Sequence, residues 1–272
     1  MTAFNATEVA VPGHPFRALV HRAGTGAPLV FLHGAGGFSP ADPFALALAE
    51  RFEVIAPIHP GFRDLDELDG LRDVHDLALY HDDLLGALGL DRVAVAGHSF
   101  GGMVAAELAA HVPGRVSHLA LLSPVGLWRD DEPMADLFTA FPFDIQDLLW
   151  ADPGSEAASA AAAAMAAGGA NEDGVDDPVL ATLLAMVKGL TTAGKYLWPI
   201  PDKGLRRRLH RITAPTLVVF GAKDKLVPPS YGVDFAAAIA GARLEVLDDA
   251  GHMVPLERTG AVVELVTALV GA

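Results

Sequence analysis

The sequence predicts an α/β fold, with a mostly parallel central sheet flanked by helices. Short, continuous apolar runs such as Pro28–Leu32 and Val116–Leu122 are typical of strands buried on both faces of a parallel sheet. Segments in which apolar residues recur at helical spacing separate these runs. Strands that alternate with helices favour βαβ units, whose crossover helices cover the two faces of the sheet.

Composition supports a folded chain and excludes several chemistries. Of the 272 residues, 51% are hydrophobic and 19% are charged, which is enough apolar material for a sizeable core. The chain has no cysteine, which excludes disulfides, thiolate metal ligands and a cysteine nucleophile. A formal net charge of −15 disfavours nucleic acid as a partner.

The hydropathy pattern bears on the location of the protein. Residues 1–20 lack the charged stretch and continuous apolar stretch of a secretory signal. No uninterrupted apolar run has the length of a membrane-spanning helix. We therefore predict a cytoplasmic protein that acts on a small molecule without contacting a membrane. The sequence carries no signal for an oligomeric state.

The apolar pattern places each element in chain order. The predicted strands are Thr7–Val11, Arg17–His21, Pro28–Leu32, Phe52–Pro57, Val93–Ala96, Val116–Leu122, Pro215–Phe220 and Arg243–Leu247. The predicted helices are Phe44–Ala49, Leu71–Leu88, the alanine-rich segment after residue 100, Tyr231–Ala240 and Gly260–Val270. A Pro-Gly-His-Pro turn between the first two strands indicates a hairpin.

The alternation of strands and helices is interrupted between residues 127 and 211. This segment has an irregular helical pattern with scattered aromatic residues and prolines. A structureless loop of this length is improbable in a compact domain. We therefore predict a core formed by residues 1–126 and 212–272, with 127–211 inserted as a helical cap.

A candidate nucleophile lies between the strand at 93–96 and the alanine-rich helix. Residues Gly97–Gly101 have the sequence Gly-His-Ser-Phe-Gly and match the G-x-S-x-G pattern in its strand–turn–helix context. The two glycines leave room for a tight turn that holds Ser99 in a strained backbone conformation. The turn also places its hydroxyl beside a helix N-terminus, where developing negative charge is favoured.

A serine nucleophile needs a base and a carboxylate that orients the base. His252 follows the last predicted strand, and Asp224 follows the strand before it, so both lie at the sheet edge where ligands bind. The order Ser99, Asp224, His252 is the one that accompanies a G-x-S-x-G elbow. Asp248 and Asp249, close to His252 along the chain, remain alternative carboxylates.

The elbow and the two loops resemble those of the α/β-hydrolase fold superfamily, and specifically its capped hydrolases with a serine nucleophile. The resemblance extends over essentially the whole chain. It implies that Ser99 is the nucleophile, His252 the general base and then acid, and Asp224 the orienting carboxylate. It implies no metal and no organic cofactor. A serine at the elbow disfavours haloalkane dehalogenase and epoxide hydrolase activities, because those relatives carry aspartate there.

The loop after the strand Pro28–Leu32 resembles the oxyanion loop of the same family. His33 begins its His-Gly pair. The resemblance implies that the backbone N–H groups of Ala35 and Phe100 bind the oxyanion. His33 and His98 flank the predicted site and are candidate substrate contacts.

Other histidines have less specific surroundings. His59 stands where relatives often carry aspartate, and we expect it to stabilise a loop. His75, His81, Asp82 and Asp83 do not form a recognised set of metal ligands by their spacing, so we predict no metal site.

The predicted cap contains a concentration of aromatic residues. We expect most of them to form the core of the cap, and two or three to line an apolar pocket above Ser99. The candidates for substrate contact are Trp128, Phe138, Trp150 and Trp198. The run Arg206–Arg208, where the cap returns to the core, is either a solvated basic face or a group that binds a substrate carboxylate.

The resemblance implies acyl chemistry. The predicted function is hydrolysis of a small, largely apolar carboxylic ester or lactone through an acyl-enzyme intermediate. Alternatives with the same fold and triad are carbon–carbon bond hydrolysis of the meta-cleavage type, and perhydrolase, amidase or thioesterase activity. A small-molecule receptor with this fold is the alternative that is not an enzyme.

Overall fold

The computed structural model describes residues 3–140, 142–169, 177–197 and 203–271. Within these ranges, eight strands form one sheet in the order β1-β2-β4-β3-β5-β6-β7-β8. The strands are β1 Asn5–Ala10, β2 Arg17–Ala23, β3 Pro28–Leu32, β4 Glu53–Pro57, β5 Val93–His98, β6 Val116–Leu122, β7 Thr216–Gly221 and β8 Arg243–Leu247. The β1–β2 and β2–β4 pairs are antiparallel and the remaining pairs are parallel, which confirms the predicted fold class.

Helices cover both faces of this sheet. They are α1 Pro43–Leu48, α2 Val74–Ala87, α3 Phe100–His111, α4 Pro142–Leu149, α5 Glu156–Gly169, α6 Pro178–Leu197, α7 Ser230–Ala238, α8 Val254–Glu257 and α9 Thr259–Val270. Short 3₁₀ helices span Leu65–Gly70, Leu205–Arg207 and Leu209–Arg211. No described helix combines the length and the apolarity needed to cross a membrane.

The strand β3 illustrates why a continuous apolar run forms a buried parallel strand. Val30 and Leu32 point to the face covered by α2 and α3, whereas Leu29 and Phe31 point to the face covered by α1 and α9. Successive side chains of a strand alternate between faces. A strand covered on both faces therefore needs apolar residues at every position.

The helix predicted at Leu71–Leu88 begins later than expected. In the structure α2 begins at Val74, because the Asp73 carboxylate accepts hydrogen bonds from the backbone N–H groups of His75 and Asp76. Such a bond satisfies amide groups that have no partner inside the helix. The short helix α8, ahead of the closing helix, is absent from the sequence-based prediction.

The described residues between 127 and 211 include the helices α4, α5 and α6 and two 3₁₀ helices, whereas residues 127–140 are irregular and contain no helix, unlike the helical cap that the sequence predicts. Side-chain hydrogen bonds join this segment to loops of the sheet. Thr192 Oγ1 on α6 donates to the carbonyl of Gly61 over 2.8 Å. Ser39 Oγ, after β3, donates to the carbonyl of Ala164 on α5 over 2.9 Å. These bonds hold the helical segment over the carboxyl edge of the parallel strands.

Candidate active site

Ser99 lies at the turn between β5 and α3 in a strained backbone conformation, with φ 53° and ψ −114°. Two glycines make this turn possible. A Cβ atom on Gly97 would lie 2.3 Å from the carbonyl oxygen of Gly101, and one on Gly101 would lie 2.1 Å from that of Leu32. Because these close approaches involve backbone atoms, only glycine fits at either position.

The structure brings Ser99, His252 and Asp224 together at the carboxyl edge of the sheet. His252 Nε2 lies 2.8 Å from Ser99 Oγ, and His252 Nδ1 lies 2.8 Å from Asp224 Oδ2. All three residues are buried, with 9% of Ser99, 1% of His252 and 6% of Asp224 exposed. The imidazole is therefore placed to take the Ser99 proton while the carboxylate holds its Nδ1 proton.

The carboxylate of Asp224 is fixed by the backbone that follows it. Its Oδ1 atom accepts hydrogen bonds from the backbone N–H groups of Leu226 at 3.0 Å and Val227 at 2.8 Å. Oδ2 is thereby left to face His252. The alternative carboxylates lie elsewhere, since Asp248 and Asp249 are exposed and Asp249 pairs with Arg258.

The loop that carries His252 has two further anchors. His98 Nε2 donates to the backbone carbonyl of His252 at 3.0 Å. This contact with the loop explains the position of His98, which the sequence predicts to contact substrate. The carboxylate of Glu257 accepts from the N–H groups of Gly251 at 2.7 Å and Ala151 at 2.8 Å. Burial raises the pKa of Glu257.

Sequence reasoning missed Glu257. It lies on α8, the short helix that the apolar pattern does not indicate, and no motif includes it. The available signal was its position five residues after His252, where an acidic side chain can reach back to the N–H groups of the preceding loop.

Ala35 and Phe100 line the same cavity as Ser99. Phe100 is the first residue of α3, so its N–H group has no partner inside the helix and lies at the positive end of the helix dipole. The helix α6 packs closely against the loop that contains Ala35. A Cβ atom on Gly189 would lie 2.4 Å from the Ala35 carbonyl oxygen. Both predicted oxyanion donors thus belong to residues that line the cavity with Ser99, and their role stays a prediction.

A chain of three buried histidines supports the loop that contains Ala35. His33 Nε2 accepts from the backbone N–H of His59 at 3.1 Å, so its Nδ1 carries the proton and donates to the Gly34 carbonyl at 2.9 Å. His59 Nε2 donates to the His33 carbonyl at 3.1 Å. His59 Nδ1 then accepts from His81 Nε2 at 2.8 Å. The predicted loop-stabilising contacts of His59 are present, and His33 also belongs to this chain.

These hydrogen bonds require a neutral His33, because its Nε2 accepts, and they are all satisfied when the imidazoles of His59 and His81 are neutral as well. Burial lowers the pKa of His33 to about 4 and that of His81 to about 3, and it lowers the pKa of His59 well below its usual value. Burial, together with the charge of His252, also lowers the pKa of His98 to about 3. Desolvation disfavours the charged form of each ring.

The cavity above Ser99 has a volume of about 530 Å³, its open mouth included, and an almost entirely apolar lining. The lining residues are Ala35, Ser99, Phe100, Met103, Val125, Gly126, Leu127, Met134, Leu137, Phe138, Leu197, Lys203 and Leu226. Both the core and the segment 127–211 contribute to it. Small-molecule sites commonly show this predominance of apolar residues.

Of the aromatic residues predicted to contact substrate, Phe138 lines this cavity. Trp128 donates from Nε1 to Asp130 at 2.9 Å, and Trp150 packs in a separate small cluster with alanines of α5. Neither tryptophan is among the described lining residues. Trp198 lies outside the residues that the structure describes.

The arginine run forms ion pairs with the core. Arg208 makes two hydrogen bonds, of 2.9 and 2.7 Å, to the buried carboxylate of Glu107, and Arg206 contacts Asp234 at 2.8 Å. The described lining of the cavity includes none of the residues Arg206–Arg208. The charged residue in the described lining of the cavity is Lys203.

Fold and site geometry together define an α/β hydrolase. Residues 29–265 match the model of the alpha/beta hydrolase family, which is most of the chain. The chain therefore belongs to that family, as the motifs predict.

Two relatives in sequence and one solved structure are similar to this chain over most of its length. The chain is 28% identical to a 2-hydroxy-6-oxo-6-phenylhexa-2,4-dienoate hydrolase of Burkholderia cepacia, over 90% of this chain and 88% of the relative. It is 27% identical to a 2-hydroxy-6-oxononadienedioate/2-hydroxy-6-oxononatrienedioate hydrolase of Comamonas testosteroni, with the same coverage of each chain. Among solved structures, a meta-cleavage product hydrolase of Pseudomonas fluorescens IP01 superposes with a TM-score of 0.72 over 97% of both chains, at 20% identity.

Proposed function

We propose that this protein is a serine hydrolase that cleaves small, largely apolar carboxylic esters or lactones through an acyl-enzyme on Ser99. The observation that carries the proposal is the hydrogen-bonded series from Ser99 through His252 to Asp224 beneath an apolar cavity. A serine hydroxyl is a weak nucleophile unless a base removes its proton, and the neighbouring imidazole supplies that base.

The chemistry proceeds in two steps. His252 Nε2 takes the Ser99 proton as Oγ attacks the ester carbonyl, and the N–H groups of Ala35 and Phe100 stabilise the resulting oxyanion. The imidazolium then returns the proton to the departing alkoxide, which leaves an acyl group on Ser99. A water molecule, deprotonated by His252, adds to the acyl carbon; the acid leaves and Ser99 recovers its proton.

The segment 127–211 acts in this proposal as the cap that selects the acyl group. Apart from Lys203, the described lining residues that it contributes are apolar, namely Leu127, Met134, Leu137, Phe138 and Leu197. Burial of a methylene group contributes about 0.8 kcal/mol, so kcat/KM is expected to rise about fourfold for each carbon of the acyl chain until the cavity is full.

Carbon–carbon bond hydrolysis of the meta-cleavage type is the second candidate, and the names of the sequence relatives favour it. A dienoate substrate carries a carboxylate, for which Lys203 is the charged residue in the described lining. Both candidates use the same serine, base and carboxylate, and they differ in the bond that is broken.

One experiment separates the two candidates. The rates of hydrolysis of p-nitrophenyl esters from acetate to octanoate are compared with the rate for a 2-hydroxy-6-oxohexa-2,4-dienoate, using the wild type and Ser99→Ala. Ester hydrolysis predicts the higher kcat/KM for the esters and a loss of at least about 10³-fold in the variant. A higher kcat/KM for the dienoate would assign the second activity. Unchanged ester hydrolysis by Ser99→Ala would contradict the proposed nucleophile.

A further inference from the structure

Three potential metal ligands converge at the end of α3 that lies away from Ser99. Glu107 and His111 are four residues apart on α3 and therefore share one face of the helix. His75 reaches the same place from the beginning of α2. One ligand atom from each of these three side chains lies within 4.8 Å of the other two.

The distances are close to those of a tetrahedral zinc site. His111 Nδ1 lies 3.5 Å and His75 Nδ1 lies 3.9 Å from Glu107 Oε2. Metal–ligand bonds of about 2.0–2.1 Å at tetrahedral angles place neighbouring ligand atoms about 3.4 Å apart. All three atoms lie within 4.8 Å of one another, so side-chain rotations that shorten these separations would bring them to one ion.

His75 supplies a second, independent observation. Its Nδ1 atom is buried yet has no hydrogen-bond partner, although its ring as a whole is one-third exposed. A buried polar atom without a partner is costly and requires an explanation. An ion that enters over the exposed edges of His75 and His111 would give this atom a ligand bond.

The carboxylate of Glu107 is held in place by Arg208. Both oxygens accept hydrogen bonds from the guanidinium, at 2.9 Å and 2.7 Å, and the Glu107 side chain is fully buried. Metal sites commonly hold a ligating carboxylate by hydrogen bonds from a neighbouring group, which fixes its orientation. Glu107 is thus the buried ligand of the three, and the two imidazoles lie on its solvent side.

We propose that His75, Glu107 and His111 bind a divalent cation of the zinc class, with water as the fourth ligand. Two imidazoles and one carboxylate form a donor set that suits Zn²⁺. His111 Nδ1 donates a hydrogen bond to the backbone carbonyl of Glu107, so binding of the ion through this atom moves the imidazole proton to Nε2 and replaces that hydrogen bond with a metal–ligand bond. The spacing of the sequence does not reveal this set, because its members come from two helices.

We expect the ion to stabilise the folded protein and to lie far from Ser99. His111 follows Ser99 by twelve residues, which corresponds to about 18 Å along the helix axis. The bound ion links the beginning of α2 to the end of α3. Because it binds the folded chain, zinc at 100 times its Kd is expected to raise the Tm by about 5 °C.

The test measures zinc binding by titration calorimetry and Tm by thermal unfolding, with untagged, chelator-treated protein and zinc chloride as the probe. The variants are His75→Ala and His111→Ala, with the exposed His210→Ala on the neighbouring 3₁₀ helix as the matched control. We expect one zinc per chain in the wild type and the control, with the rise in Tm. Each ligand variant is expected to bind at least about tenfold more weakly and to lose the rise.

Two results would overturn the proposal. One is the absence of saturable zinc binding to the wild type. The other is binding of equal affinity in the wild type, His75→Ala and His111→Ala, which would locate the ion elsewhere. The Tm of each variant in excess chelator shows whether it is folded, so that a loss of binding is not mistaken for a loss of structure.

Discussion

At the scale of single residues, the site depends on how each side chain is held by its neighbours. Asp224 is the clearest case, because the backbone N–H groups of Leu226 and Val227 occupy one carboxylate oxygen and leave the other for His252. The imidazole is thereby kept with its proton on Nδ1 and its lone pair on Nε2, toward Ser99. The carboxylate thus determines the tautomer of His252.

Replacement of Asp224 by asparagine tests this role with little change of shape. The amide oxygen can still accept from Leu226 and Val227, but the amide N–H₂ then faces His252 Nδ1 and forces the imidazole proton onto Nε2. We expect kcat for an ester to fall about 10⁴-fold, with little change in Tm.

Asp248→Asn is the matched control for this variant, because Asp248 is exposed and lies at the start of the loop that carries His252. It should retain full activity. A loss of less than about tenfold in Asp224→Asn would contradict the assignment of Asp224.

The sequence predicted the meeting of Ser99, Asp224 and His252 because each follows its own parallel strand, and the carboxyl ends of such strands share one edge. It could not predict that Trp128 and Trp150 would lie outside the described cavity lining. A tryptophan in a helical insertion has the same local pattern whether it packs inside the insertion or faces a ligand. The position of Glu257 depends likewise on tertiary contacts that no local pattern records.

At the scale of elements, the turn from β5 into α3 places Ser99 above the sheet. This turn is tight, since the backbone of Gly101 approaches both Gly97 and the carbonyl of Leu32 at the end of the neighbouring strand β3. Buried, continuous apolar strands allowed accurate prediction of the sheet, whereas α8 is too short for a periodic pattern to appear.

Gly97→Ala is expected to destabilise the protein by at least about 3 kcal/mol, since its Cβ would lie 2.3 Å from a backbone oxygen that has no freedom to move. Urea unfolding measures this change. Gly260→Ala is the control: nothing lies within 4 Å of the added Cβ on α9, and a gain of about 0.5–1 kcal/mol is expected from the higher helix propensity of alanine. A Gly97→Ala protein as stable as the wild type would show that the turn is not constrained as described.

At the scale of the whole molecule, buried neutral histidines connect stability to pH. Their pKa values are lowered by burial, so in acid the unfolded chain binds protons that the folded chain does not. The free energy of unfolding is therefore fully retained above the unfolded pKa of 6.5. It decreases as the pH falls from there toward the folded pKa values of about 4 and 3.

His81→Gln isolates one of these groups, since the glutamine amide can still donate to His59 Nδ1 but does not titrate. Urea unfolding at a series of pH values is expected to show a shallower slope for the variant between pH 6 and pH 4, by about 1.4 kcal/mol per pH unit. Above pH 7.5 the two curves should run parallel. Parallel curves across the whole range would contradict the neutral, buried state of His81.

The central claim is that Ser99 is the nucleophile, and covalent labelling tests it most directly. The protein is treated with a serine-reactive fluorophosphonate, digested, and mapped by mass spectrometry. We predict a single adduct on Ser99, absent in Ser99→Ala and formed far more slowly in Asp224→Asn. An adduct on another residue, or equal labelling of wild type and Ser99→Ala, would contradict the claim.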